Sequence, residues 1–241
     1  MVSKNQIKLI NSLQQKKYRK IHNLFIAEGK KVIQELIDAN FILEHLFVTK
    51  TDLFEKNYAA TLILDSELKK ISALTSANDC LAVFKIKEYS SSTNSGLELA
   101  LDNIKDPGNM GTIIRLCDWF GISKIVCSEE TVDMYNPKVV QATMGSLARV
   151  QVEYTNLANY LKTTDLEIFG TFMEGENIYK KELPANGILV MGNEANGISS
   201  EIENLITQKI AIPRFGNLQQ TESLNVATAT AIFLSEFKRS K

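Results

Sequence analysis

Five polar side chains stand where an α/β protein could hold a ligand. Asn109 and Arg115 lie six residues apart, on neighbouring faces of one predicted helix. Glu194 follows Gly192 and Asn193 directly after the apolar run Ile188-Leu189-Val190-Met191. Ser223 and Asn225 flank Leu224 where an Ala-rich apolar segment begins, Leu224 to Phe237. Between them they offer a carboxylate, a guanidinium, a hydroxyl and two carboxamides, enough to orient a polar ligand and to hold an anion. Each also has a plain structural explanation. Asn109 and Ser223 suit helix N-caps, Glu194 suits a solvated loop, and Arg115 could pair with Asp118 or Glu194. Residue types alone leave both readings open.

The elements around them favour a site. The runs Ile188–Met191 and Lys209–Ile212 each fit a buried strand. Each ends in a polar, glycine-bearing loop, 192–199 and 213–222, and open α/β sheets bind ligands outside the carboxyl ends of their strands. Further strands are expected at Leu97–Leu101, Ile125–Cys127, Val150–Glu153 and Glu167–Thr171. Helices are expected at Met110–Phe120, Asn136–Leu147, Asn156–Lys162 and Ser200–Thr207. That alternation predicts a mainly parallel sheet with helices on both faces. No GxGxxG follows Leu97–Leu101 and no P-loop occurs, which counts against a nicotinamide dehydrogenase and against a phosphate cradle.

The first 90 residues predict a smaller α/β unit. Ser3 can cap a helix reaching Lys17, and Tyr18–Asn23 reads as a polar, basic connection. Leu24–Gly29 leads into a helix over Lys30–Ala39, ended by Asn40. Strands at Leu43–Thr49, Thr61–Leu64 and Cys80–Ile86 and a helix at Ser66–Leu74 complete it. The serine-rich stretch Glu88–Gly96 has no apolar period and reads as a linker. The expected domains are 1–88, a linker at 89–96, and 97–241.

Net charge is −1 over 241 residues, but it is unevenly spread. Residues 1–90 carry 14 Lys/Arg against 10 Asp/Glu, and the remainder 13 against 18. Local basic patches govern phosphate attraction. Lys17, Arg19, Lys20 and Lys31 are therefore candidate phosphate contacts, joined by Lys138 and Arg149 in the second half, with Thr143 as a polar neighbour. A lysine run is also compatible with a merely solvated helix face. His22 and His45 are isolated. Cys80, Cys117 and Cys127 form no CxxC or Cys/His cluster, so no metal site is expected. No apolar run is long enough to span a membrane and no signal-peptide core is visible, so a cytoplasmic setting is the expectation.

Three segments carry a resemblance. Asp102 to Arg115 (DNIKDPGNMGTIIR), Gly192-Asn193-Glu194 and Ser223-Leu224-Asn225 resemble, in order, the three motifs of the SpoU (TrmH-like) family, within the SPOUT class of RNA methyltransferases. Phe25-Ile26-Ala27-Glu28-Gly29-Lys30-Lys31 resembles part of the substrate-binding domain often found ahead of the catalytic one, a domain similar to ribosomal proteins that bind kinked RNA. The resemblance implies an α/β SPOUT domain with a deep trefoil knot, a topology that general folding rules would not suggest. It implies S-adenosyl-L-methionine as cofactor, an RNA ribose 2′-hydroxyl as methyl acceptor, and a homodimer that completes each site. Ribosomal RNA is the expected substrate. Transfer RNA is an alternative, as is a non-catalytic RNA-binding or ribosome-assembly module. By the same correspondence Arg115, Asn109, Glu194, Ser223 and Asn225 form the catalytic set. Thr171, Met191, Gly192, Asn193, Gly197, Ile212, Pro213 and Leu224 contact the cofactor. Trp119 and Cys117 read as packing residues. Two departures stand out: the loop Arg214–Glu222 is longer than usual, and Gln141-Ala142-Thr143 replaces a more basic stretch.

Overall fold

The structure is a computed structural model and describes residues 1–54, 58–87, 96–216 and 223–239. The expected linker at 89–96 lies outside them except for Gly96, as does the 217–222 part of the long loop. The chain first forms α1 (Lys4–Ser12), α2 (Lys16–His22), β1 (Leu24–Glu28), α3 (Lys30–Asp38), β2 (Leu43–Val48), β3 (Ala60–Leu62), α4 (Asp65–Ile71) and β4 (Cys80–Lys85). It continues through β5 (Leu97–Leu101), α5 (Pro107–Phe120), β6 (Lys124–Ser128), α6 (Pro137–Thr143), β7 (Gln151–Thr155) and α7 (Leu157–Lys162). It ends with β8 (Ile168–Asn177), β9 (Gly187–Met191), α8 (Ser200–Glu203), β10 (Gln208–Ala211) and α9 (Val226–Arg239). These group into two units: Met1–Ser90 with Asp133–Arg149, and Ser91–Val132 with Val150–Lys241.

The first unit is built on a mixed sheet of order β1-β4-β2-β3, in which only the β2–β3 pair is parallel. One core joins Ile10, Leu13, Ile26, Phe47, Leu68, Leu81 and Val83. A second gathers the rings of Phe25, Phe41, Phe84 and Tyr135, with Phe25 and Tyr135 4.5 Å apart between centroids. Tyr135 explains why Asp133–Arg149, expected within a continuous 97–241 domain, groups with this unit. Two ion pairs add to it, Arg19–Asp133 and Arg149–Glu35.

Two local expectations change here. The single helix expected to run to Lys17 breaks at Leu13, and Tyr18–Asn23 is largely helical as α2 rather than a connection. Leu24–Glu28 is a strand. Glu28 is buried and its carboxylate accepts from Ser72 Oγ at 2.6 Å and Ala73 N at 2.8 Å. Burial raises its pKa and those two bonds oppose the rise. Glu28 thus fastens the end of α4 to β1. Gly29 follows at φ +88°, a conformation that favours glycine, and starts α3.

The second unit is a six-stranded, all-parallel sheet of order β10-β8-β9-β5-β6-β7. Alternate strand residues point to opposite faces. Ala100, Val126, Ile188 and Val190 meet Leu157, Leu161 and Ile202 of α7 and α8. Phe169 contacts Phe237 of α9 edge-on, at 5.2 Å between centroids. Glu98 and Lys124 are buried on this sheet, and buried charges need partners. Lys124 Nζ donates to Tyr160 Oη at 3.0 Å and pairs with Glu98 and Glu153, while Tyr160 donates to Glu98. Among the described residues no helix is long and apolar enough to cross a membrane.

Candidate active site

The site assembles at the carboxyl ends of β9 and β5 in the second unit. Asp106 caps α5, accepting from Asn109 N at 2.8 Å, with Pro107 in the first turn. Asn109 is therefore not the cap, and its carboxamide is left to point elsewhere. Its Nδ2 donates to Glu194 Oε1 at 3.0 Å, and its Oδ1 accepts from Asn225 Nδ2 at 2.9 Å. Glu194 also accepts two longer bonds, from Lys105 N at 3.4 Å and Asp106 N at 3.3 Å. Asn225, not Ser223, caps α9: its Oδ1 accepts from Ala227 N at 3.0 Å and Thr228 N at 3.2 Å. Residues 116 positions apart are thus joined in one hydrogen-bonded chain, Glu194–Asn109–Asn225.

The loop after β9 is shaped by Asn193 and two glycines. Asn193 Oδ1 accepts from Ala195 N and Asn196 N, and Nδ2 donates to Asn103 O at 2.7 Å. Backbone bonds of 2.9 Å run both ways between Asn193 and Gly197. Gly197 holds φ +68°. Gly192 has no room for a side chain, because a Cβ there would lie 2.3 Å from Gly197 C and Ile198 N. Buried Asp102 ties the next turn down by accepting from Ser199 N at 2.7 Å.

Beside this chain opens a cleft of about 1630 Å³. All eight residues expected to contact the cofactor line it, as do Glu194, Ser223 and Asn225. Thr171, expected at a strand end, lies inside β8, which runs on to Asn177, and its hydroxyl donates to Val190 O at 3.0 Å. Met173, two residues beyond Thr171, lines it too, and so do Tyr179, Glu203 and Phe233, which pattern reading missed. Tyr179 follows β8 in a short 3-10 turn and approaches Phe215 at 6.3 Å between ring centroids. No motif marks these residues; the length of β8 brings in Met173 and Tyr179, while Glu203 comes from α8 and Phe233 from α9.

Asn109 and Arg115 do not line the cleft. Arg115 is exposed on α5 and, among the described residues, makes no ion pair with Asp118, Glu194 or any other acid. Cys117 is buried as expected, but Trp119, expected to pack, is 84% exposed. The thiols offer no nucleophile: burial pushes Cys80 up to about 11 and Cys117 and Cys127 further still.

The expected RNA contacts divide sharply. Lys17, Lys20, Lys31 and Lys138 are exposed. Arg19 is 2% exposed; its Nε and Nη2 donate to Asp133 Oδ2 and its Nη1 donates to Leu13 O at 2.8 Å. It is a structural fork and not a phosphate ligand. Arg149 is ion-paired with Glu35. Thr143 is fully buried and its hydroxyl donates to Val140 O, which removes it from the list of contacts.

Comparison with known families resolves the pattern. Residues 96–235 match the model of the SpoU rRNA Methylase family. The chain belongs to the SpoU rRNA methylase family. Residues 4–82 match the MRM3-like substrate binding domain. Among curated SpoU relatives, the 23S rRNA (guanosine(2553)-2′-O)-methyltransferase RlmP of Bacillus subtilis (strain 168) is 28% identical, with 96% of each chain covered. A solved structure assigned to the TrmH family of RNA methyltransferases, from Porphyromonas gingivalis, is 36% identical and covers both chains fully at a TM-score of 0.90. An AdoMet-bound rRNA methyltransferase from Sinorhizobium meliloti is 25% identical, covering 100% of this chain and 97% of its own, at a TM-score of 0.86.

Proposed function

We propose that this SpoU protein transfers a methyl group from S-adenosyl-L-methionine to a ribose 2′-hydroxyl of ribosomal RNA. The observation that carries the reading is the convergence of its three motif segments in the chain Glu194–Asn109–Asn225 at the rim of one cleft. The full-length match to a 23S rRNA 2′-O-methyltransferase and the AdoMet-bound relative supply substrate class and cofactor.

The cleft suits that cofactor. Met191, Ile198, Ile212 and Leu224 give an apolar floor for a purine, and strand-end backbone groups can meet its polar edge. The lining brings no backbone cradle for phosphate, and this cofactor has none. When bound it supplies a methyl group made electrophilic by its sulfonium.

The chain's own residues then have separable tasks. Glu194 and Asn225 hold the start of α5 against the start of α9. A guanidinium donates hydrogen bonds and accepts none, so the roles of Arg115 are to anchor the phosphate of the target nucleotide and to stabilise charge developing on the ribose oxygen. Ser223, exposed at the cleft, orients the ribose. Lys17, Lys20, Lys31 and Lys138 meet phosphates, which requires only positive charge within reach.

Three further features belong to the same reading: a trefoil knot threading the segment after β10, a cytoplasmic setting, and a homodimer. The dimer is supported by exposed Trp119 and by the position of Arg115, exposed and outside the cleft lining, where a second chain would complete the site. The test is nucleoside mass spectrometry of ribosomal RNA from cells lacking the gene. One 2′-O-methyl nucleoside should disappear, returning with the wild-type gene but not with Arg115→Ala. An unchanged set of 2′-O-methyl nucleosides would refute the proposal.

A further inference from the structure

We propose that the groove between α1 and α2 binds a single-stranded, unstacked stretch of the RNA substrate, whose backbone is the one that Lys17 and Lys20 contact, and that Lys31 and Lys138 meet other phosphates. The inference rests on the reading that the protein acts on RNA. The groove holds about 590 Å³ and is lined by Asn5, Lys8, Asn11, Gln15, Tyr18 and His22, with half-buried Leu9 beneath.

Three features fit that ligand. The first is charge: residues 1–27 contain no Asp or Glu, and Glu28, the first acid, is buried. Arg19 is neutralised by Asp133, but Lys8 lines the groove and Lys17 and Lys20 are exposed on α2 beside it, Lys17 with its Nζ 5.8 Å from the centre of the Tyr18 ring. The second is a stacking surface. Tyr18 and His22, one turn apart on α2, lie nearly parallel, with centroids 6.4 Å apart and an interplanar angle of 18°. An aromatic face accepts any base, and only unpaired bases can reach it. The third is hydrogen bonding. Asn5 and Gln15 are exposed carboxamides that can both donate and accept, as base edges require, whereas an acidic peptide or a lipid headgroup needs cations alone. Asn11 is fixed by its bond from Nδ2 to Lys70 O at 3.1 Å, which joins α1 to the end of α4 and makes that wall of the groove rigid.

The test uses the full-length chain and three probes: a short fluorescein-labelled single-stranded RNA, the same strand in a duplex, and phosphatidylglycerol vesicles. Wild type should prefer the single strand. Lys8→Ala with Lys17→Ala should weaken that binding about tenfold and lower the salt slope by about 1.4, two cations at roughly 0.7 each. His22→Ala, an exposed change, should weaken it severalfold without altering the salt slope. Lys50→Ala with Lys162→Ala, two exposed lysines elsewhere, serves as the charge control. In methylation assays the groove variants should raise the KM for RNA and leave the affinity for S-adenosylmethionine, read by calorimetry, at the wild-type value. Groove variants that bind RNA like the control, a preference for duplex, or retention on vesicles alone would overturn the proposal. Failure of wild type to bind S-adenosylmethionine would instead sink the methyltransferase reading, leaving the groove to the RNA arms.

Discussion

A carboxylate accepts hydrogen bonds and donates none, so Glu194 obliges Asn109 to turn its NH₂ toward it. Asn109 then offers its oxygen to Asn225, which must answer with NH₂ and turn its own oxygen to the backbone of α9. One acid thus fixes the orientation of two carboxamides. Asn225→Asp separates the two jobs of that residue. Aspartate caps a helix as well as asparagine does, so thermal unfolding should be nearly unchanged. It cannot donate to Asn109, so turnover should fall at least about tenfold, roughly 1.4 kcal/mol in the barrier. Asn225→Ala should lose the cap as well, at a further cost of about 1 kcal/mol in stability. Glu194→Gln places a donor among four donors, the amides of Lys105 and Asp106 and the carboxamides of Asn109 and Asn193, and at this exposed position should cost about 1 kcal/mol on denaturant titration. Arg115→Ala should lower kcat by about 100-fold or more, as loss of a transition-state donor does, with cofactor affinity by calorimetry intact. Equal losses of cofactor binding and turnover would show that Arg115 holds the fold or the cofactor instead.

At the scale of elements, the crossing of loops matters more than any one strand. Gly192 passes so close to Gly197 and Ile198 that a methyl group there forces the loop open. Gly192→Ala should therefore cost about 1–3 kcal/mol of strain and weaken S-adenosylmethionine binding about tenfold or more, both measurable by calorimetry. Unchanged affinity would mean that the loop does not shape the cofactor site. The same scale shows what the sequence could and could not reveal. The strands β5, β9 and β10 were legible because each is a short apolar run closed by glycine-bearing polar loops. The strand β1 was not, since four of its five residues are buried and it shows no alternation. The helix α2 was hidden for the opposite reason: its one buried side chain is Arg19, a cation whose partners lie at Leu13 and Asp133. Hydrophobic periodicity cannot see a helix anchored by a guanidinium. In the site, motif residues were legible from type and order, whereas Tyr179 and Phe233 enter the cleft only through the length of β8 and the buried face of α9.

On the scale of the whole molecule, the proposed mechanism has two chains complete each site. Trp119, 84% exposed, and Phe215, 81% exposed, are large apolar surfaces to leave in water. Sedimentation equilibrium should give twice the chain mass of 27.0 kDa. Trp119→Glu should shift it to a single chain and abolish turnover together. A fully active single chain would remove the dimer from the mechanism. The central claim, methyl transfer to ribose, has a direct chemical readout. Purified protein is incubated with ribosomal RNA and methyl-labelled S-adenosylmethionine, and the RNA is then hydrolysed in alkali. A 2′-O-methyl group blocks cleavage at its own linkage, so the account expects the label in alkali-resistant dinucleotides, and none with Arg115→Ala. Label released in mononucleotides, marking a methylated base, would contradict it.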